Sequence, residues 1–177
     1  QAAQLCLAIN YTPLFWRRSV TARYLLLGIL RATLPVWVAT FFVCLLFIGA
    51  GFAPALVVIR TALFGMLLFV CSLYIHEITH IIIIRSQCAE PMILQAGLRF
   101  GLIHRTLLPR TEIASSLAGP GLGGLCCIGV SSLVFASHLE LLALCGLVIA
   151  SFHILGLLPW YGDGASLQKA LQKRRNP

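Results

Sequence analysis

Charge is what this sequence has least of. Only 10% of its 177 residues are Asp, Glu, Lys or Arg, against roughly 25% in a soluble domain. So few polar groups cannot clothe a water-soluble core, which excludes an ordinary soluble domain. Acids are scarcest, with five in the chain: Glu77, Glu90, Glu112, Glu140 and Asp163. Cysteine is present but in the wrong pattern for a disulfide framework. The count of seven is odd, and Cys44, Cys71, Cys126, Cys127 and Cys145 fall in apolar stretches rather than loops. No Cys-x-x-Cys occurs, because Cys126 and Cys127 are adjacent, which removes a thiolate zinc site. Aromatic-basic patches are also missing, and with them the case for a nucleic-acid partner.

Apolar residues fill the space instead. They make up 59% of the chain, and the mean hydropathy is +0.95. A membrane-spanning helix needs about 20 mostly apolar residues. Four stretches qualify: Thr33 to Ala53, Thr61 to Ile84, Ile113 to Ser137 and Leu141 to Leu158. Val20 to Ala32 is apolar but holds Arg23 and Arg31, and reads as an interfacial helix or as an extension of the first span bent at Pro35. Arg17 and Arg18 lead into spans too long for a cleavable h-region, so no secretory signal is expected.

Between the second and third spans, Leu98-Arg99-Phe100-Gly101-Leu102 alternates as a strand does, punctuated by Gly97 and Pro109. The expected fold is therefore an all-α polytopic membrane protein in one domain, residues 1–177. It has about four transmembrane helices, an interfacial segment over residues 1–32 and a short membrane-surface β-hairpin.

Four spans would put both termini and the loop from Arg85 to Glu112 on one side. That side holds Arg17, Arg18, Arg23, Arg31, Arg85, Arg99, Arg105, Arg110, Lys169, Lys173, Arg174 and Arg175, which leaves Arg60 alone on the other. Basic residues favour the cytoplasmic face, so both termini are expected there. The net charge of +8 then belongs to topology and to the lipid bilayer as partner.

Against this apolar background one polar cluster stands out. His76-Glu77-Ile78-Thr79-His80 matches His-Glu-x-x-His inside the second span. Residues four apart share a helix face, so both imidazoles can meet one metal ion. Glu77, next to the first imidazole, is placed to take a proton from a metal-activated water. A charge at this depth costs several kcal/mol unless it is paired or serves a cavity. A polar helix–helix network or a proton relay would account for the burial, but neither requires this spacing.

A catalytic zinc takes three protein ligands and leaves one position open. Glu90 and Glu112 fall in the loop and Glu140 at the far side, leaving Asp163 in Leu157-Leu158-Pro159-Trp160-Tyr161-Gly162-Asp163-Gly164. His80 lies four residues from the cytoplasmic end of its span, about 6 Å of rise, and Asp163 lies where the fourth span reaches that same end. Pro159, Gly162 and Gly164 would break the helix and aim the carboxylate into the bundle. The bland alternative is a helix-ending turn with a solvated Asp. Ala118-Gly119-Pro120-Gly121 and Gly123-Gly124 in the third span read as a close-packing helix seam.

Taken together, these blocks resemble the site-2 protease family of intramembrane zinc metalloproteases. The match runs over roughly residues 61–170 in the family's order: His76 to His80, then Ala118-Gly119-Pro120, then Leu157 to Gly164. The resemblance implies Zn2+ held by His76, His80 and Asp163, with Glu77 as the catalytic carboxylate. It implies hydrolysis of a peptide bond in or near a transmembrane segment of a membrane-protein substrate. It also implies a multi-pass protein of a bacterial cytoplasmic membrane. Three departures are visible. Gly156 stands where the family has Asn, the stretch from Pro159 to Asp163 is one residue short, and Gly162 replaces Leu. His153, a turn before Gly156, either takes over the role of the missing Asn or is a packed hydrogen-bonder. The hairpin around Leu98 to Leu102 could receive an unwound substrate by strand addition.

Two other readings compete. One is a related peptidase that trims secreted or modified peptides. The other is a non-proteolytic transport or ion-pathway protein using the same polar cluster, which the lack of an obvious inverted repeat weakens.

Overall fold

The computed structural model describes residues 15–87, 91–96, 99–104 and 106–175. Among the described residues, three helices are long and apolar enough to cross a bilayer: α1 (Ala22–Gly49), α2 (Ala55–Arg85) and α3 (Pro109–Ala136). At the α-helical rise each is about 42–46 Å long, more than the roughly 30 Å of a hydrocarbon core. The apolar helix α4 (Glu140–Leu155) has 16 residues, about 24 Å. The polar helix α5 (Gly162–Arg175) follows it. The protein is a helical membrane protein, with three candidate spans among the described residues rather than the four expected.

The difference at the fourth span has a local cause. Leu141 to Leu158 is apolar throughout, but the helix stops at Leu155 and the chain coils into tight turns. Leu157 N–H donates to Ile154, Leu158 N–H to Leu155 and Tyr161 N–H to Leu158. Pro159 has no N–H with which to continue an α-helix. Hydropathy reports composition, and composition does not register where the backbone tightens.

The expected interfacial helix and first span are one helix. Pro35 lies inside α1 and lacks the N–H that would reach the Arg31 carbonyl, but its neighbours brace the turn. The Thr33 hydroxyl donates to the Ile29 carbonyl at 3.0 Å, and Trp37 Nε1–H donates to the Thr33 hydroxyl at 3.2 Å. Much of α1 beyond Pro35 is exposed apolar surface, including Phe41, Phe42 and Leu46, as a helix facing lipid requires.

The expected hairpin belongs to a three-stranded antiparallel sheet: β1 (Phe15–Ser19), β2 (Met92–Ala96) and β3 (Arg99–Ile103), in that order. Gly97 and Leu98 lie outside the described residues. Phe15 pairs with Ala96 and Ser19 with Met92, while Met92 pairs with Ile103 and Ala96 with Arg99. β1 is a strand where the sequence suggested only an interfacial segment. β2 is thus central, and β3 keeps one edge unpaired among the described residues.

Leu25 and Ile29 of α1, Val70 and Ile81 of α2 and Ile93 of β2 form one buried cluster. Leu68, Cys127, Ile149 and Ala150 join α2, α3 and α4 in another. Arg85, at the end of α2, donates to the Val20 carbonyl at 3.1 Å and ties that end to the sheet. The sheet, the start of α1, the end of α2, the start of α3 and α5 therefore share one end of the bundle. The turns at Gly51 and His138, both with positive φ, mark the other.

Candidate metal centre

α2 brings His76 and His80 to one face, a single turn apart, with ring centroids separated by 4.8 Å. Their Nε2 atoms are 3.0 Å apart. Asp163 enters from the first turn of α5, its Oδ2 3.1 Å from His76 Nε2 and its Oδ1 3.3 Å from His80 Nε2. Burial works to raise the Asp163 carboxyl, but the imidazoles of His76 and His80 facing it outweigh that and hold the group below the usual carboxylate range.

The Asp163 carboxylate reaches this point through the turns after α4. Gly164 N–H reaches back to the Gly156 carbonyl at 3.1 Å, pressing the first turn of α5 onto the carbonyls of Leu157 and Leu158. A Cβ at residue 164 would overlap both of those carbonyls, so only glycine fits. Gly162 meets nothing and has no positive φ, so the turn rests on Gly164 and not on the pair of glycines.

α3 forms the opposite wall. A Cβ at Gly119 would run into the His80 ring, and one at Gly123 would lie 2.8 Å from Cε1 of His153. The seam glycines thus make room for imidazoles as well as for backbones. From the same helix, Ser115 Oγ sits 2.9 Å from His80 Nδ1, leaving His80 Nε2 to face Asp163.

The donor set suits a small divalent cation. Zinc binds imidazole nitrogen and carboxylate oxygen at about 2.0–2.2 Å, and a tetrahedron with such bonds has edges of about 3.3–3.6 Å, within a few tenths of an ångström of the 3.0, 3.1 and 3.3 Å here. Two His and one carboxylate would occupy three corners of such a site and leave the fourth for a water or a substrate oxygen. His76, His80 and Asp163 offer ligand atoms that all lie within 4.8 Å of one another. Zinc therefore fits.

A cavity of about 430 Å³ opens beside these atoms, lined by Glu77, Gly101 and Leu102 of β3, His104, Tyr161 and Asp163 among others. The four residues singled out in the sequence, His76, Glu77, His80 and Asp163, all meet here. His153 takes the second of its two expected places, that of a packed hydrogen-bonder. It does not line the cavity; its Nδ1 lies 3.2 Å from His76 Nδ1 and its Nε2 3.0 Å from Ser72 Oγ. It stands behind a candidate ligand, away from where a substrate would lie. Sequence reasoning missed Ser72, Ser115 and His104. Ser72 was within reach, since it precedes His76 by four residues and shares its face. Nothing in the pattern marked the other two.

Compared with known proteins, the chain matches no protein-family model, no curated protein and no solved structure.

Proposed function

We propose that this protein is an intramembrane zinc metalloprotease of the site-2 protease kind, cutting a peptide bond in or near a transmembrane segment of a membrane-protein substrate. One observation carries the reading. Two imidazoles from an apolar helix and a carboxylate more than eighty residues later converge on one point, with Glu77 beside them on a polar cavity. His76, His80 and Asp163 would hold the metal. Bound zinc would supply Lewis acidity, acidifying water and polarising a carbonyl. Glu77 accepts the proton released by the attacking water and passes it to the leaving amine nitrogen.

A helical substrate hides its amides in hydrogen bonds and must unwind before attack. Gly101 and Leu102 line the cavity from β3, whose unpaired edge offers backbone groups to an extended segment. A transport reading asks for ionisable groups spaced along a path. Among the described residues the buried ionisable groups His76, His80 and His153 instead gather toward one end.

The test is metal analysis and proteolysis on the purified full chain in detergent. Wild type is expected to carry about one zinc per chain, and Asp163→Ala to lose it. Glu77→Gln should keep the zinc and lose cleavage of single-span substrates in liposomes by about 10²–10⁴-fold, the scale of general-base catalysis. Zinc-free wild type, or Asp163→Ala with undiminished zinc, would remove the metal site. Undiminished cleavage by Glu77→Gln would remove Glu77 from the chemistry.

A further inference from the structure

We infer that His153 is a positioning residue for the metal, holding His76 in the one tautomer that presents Nε2 as a ligand. This inference rests on the zinc reading of His76, His80 and Asp163.

Four groups form a buried line along which the protons are ordered. At its far end is the backbone carbonyl of Phe69, which can only accept. Ser72 Oγ–H donates to it at 3.0 Å. A hydroxyl has a single hydrogen, so toward His153 Nε2, 3.0 Å away, Ser72 can only accept. His153 Nε2 therefore carries a proton. In a neutral imidazole the other nitrogen is then a bare acceptor, and that nitrogen, Nδ1, faces His76 Nδ1 at 3.2 Å. His76 must donate from Nδ1, which leaves the lone pair on its Nε2, the atom nearest Asp163 and His80. Reversing the chain would put a proton on His76 Nε2 and block coordination. A metal on Nε2 selects the first direction, and the Phe69 carbonyl, which can only accept, takes the hydrogen at the end of the line.

The surroundings favour the same arrangement. Ser72 is fully buried and His153 is 5% exposed, so water does not compete for these bonds. Gly123 leaves room for the His153 ring, which a methyl group would fill. Residues that orient a metal-bound imidazole through its second nitrogen typically contribute 10–100-fold in metal affinity.

The test compares two near-isosteric substitutions in the purified full chain. In His153→Asn the amide oxygen takes the place of Nδ1 and still accepts from His76. In His153→Leu that place holds a methyl. Zinc affinity, measured by competition with a chromogenic chelator, is expected to fall 10–100-fold in His153→Leu and to return within a few-fold of wild type in His153→Asn. Equal losses in the two variants would mean that His153 only packs, and no loss in His153→Leu would mean that it does nothing for the metal; either overturns the inference.

A second measurement needs no variant. Nitrogen NMR of histidine-labelled, zinc-loaded wild type should find His76 Nδ1 protonated and His153 Nδ1 bare. A proton on His153 Nδ1 overturns the inference even if His153→Leu fails to fold. Failure of the zinc reading looks different, because wild type would then bind no zinc, or Asp163→Ala would bind as much, and the inference would fall with it. Zinc lost in Asp163→Ala but kept in His153→Leu sinks the positioning role alone.

Discussion

At the scale of single residues, the metal centre was legible where chemistry and spacing coincide. A four-residue separation of two histidines is close to one helical turn, so the sequence alone puts both rings on one face. Asp163 followed because only five acids exist and four of them are Glu77 or lie elsewhere. The residues that shape the pocket were not legible, since a glycine or serine in a lipid-facing helix does not announce which ring it faces. Gly119 and Gly121 show the difference. A methyl at residue 119 meets the His80 ring, while one at residue 121 meets nothing within 4 Å. Alanine at either position gains about 1 kcal/mol of helix propensity, but at 119 the overlap costs about 1–3 kcal/mol and pushes the ring off its position. Gly119→Ala is expected to lower the zinc content of purified protein several-fold, with Gly121→Ala at wild-type zinc content. Equal zinc in the two variants would show that His80 does not rest on α3 as described.

At the scale of elements, the three long helices were plain in the hydropathy, because 20 or more apolar residues in a row leave few other options. Pro35 suggested a break that the Thr33 and Trp37 side chains bridge. β1 escaped notice because a five-residue strand becomes visible only through its pairing partner, β2, which lies over seventy residues downstream. α5 matters most to the site, since it carries Asp163 in its first turn and packs on α3, and its Ala170 has no exposed surface. Ala170 lies seven residues beyond Asp163, about 10 Å along the same axis, so a shift of α5 at Ala170 moves the carboxylate. Ala170→Leu is expected to cost about 1–3 kcal/mol through overpacking and to reduce zinc stoichiometry. The ion pair of Lys173 with Glu112, at 3.3 Å with the lysine half exposed, holds the same helix from outside. Such exposed pairs contribute about 0–1 kcal/mol, so Lys173→Met should leave zinc content and melting temperature nearly unchanged. If Lys173→Met lost the metal and Ala170→Leu kept it, packing on α3 would not be what positions Asp163.

At the scale of the whole molecule, charge placement and helix packing support the same orientation by separate routes. Counting four spans predicted termini on one side, yet α4 is too short to count by length alone. The geometry brings the first and last described elements to one end of the bundle without that count. Asp163 meets His76 and His80 near the C-terminal end of α2, so the chain after α4 returns to the end of the bundle where α1 begins. Arg23, Arg85, Arg110, Lys169, Lys173, Arg174 and Arg175 sit on elements at that end, while Arg60 sits near the turn at Gly51. Basic residues are retained on the cytoplasmic side, so we propose that the sheet, the cavity and α5 face the cytoplasm and the turns at Gly51 and His138 lie outside. Single cysteines in a cysteine-free background make this measurable in intact cells. Ser137→Cys, in the α3–α4 turn, is expected to react with a membrane-impermeant maleimide added outside. Ser86→Cys, just after α2, and a cysteine fused after the C-terminus should react only once the membrane is opened. The mirror-image labelling pattern would reverse the orientation and leave the metal centre intact. Labelling of Ser86→Cys and the C-terminal cysteine from opposite sides could not be reconciled with Asp163 lying against the two histidines.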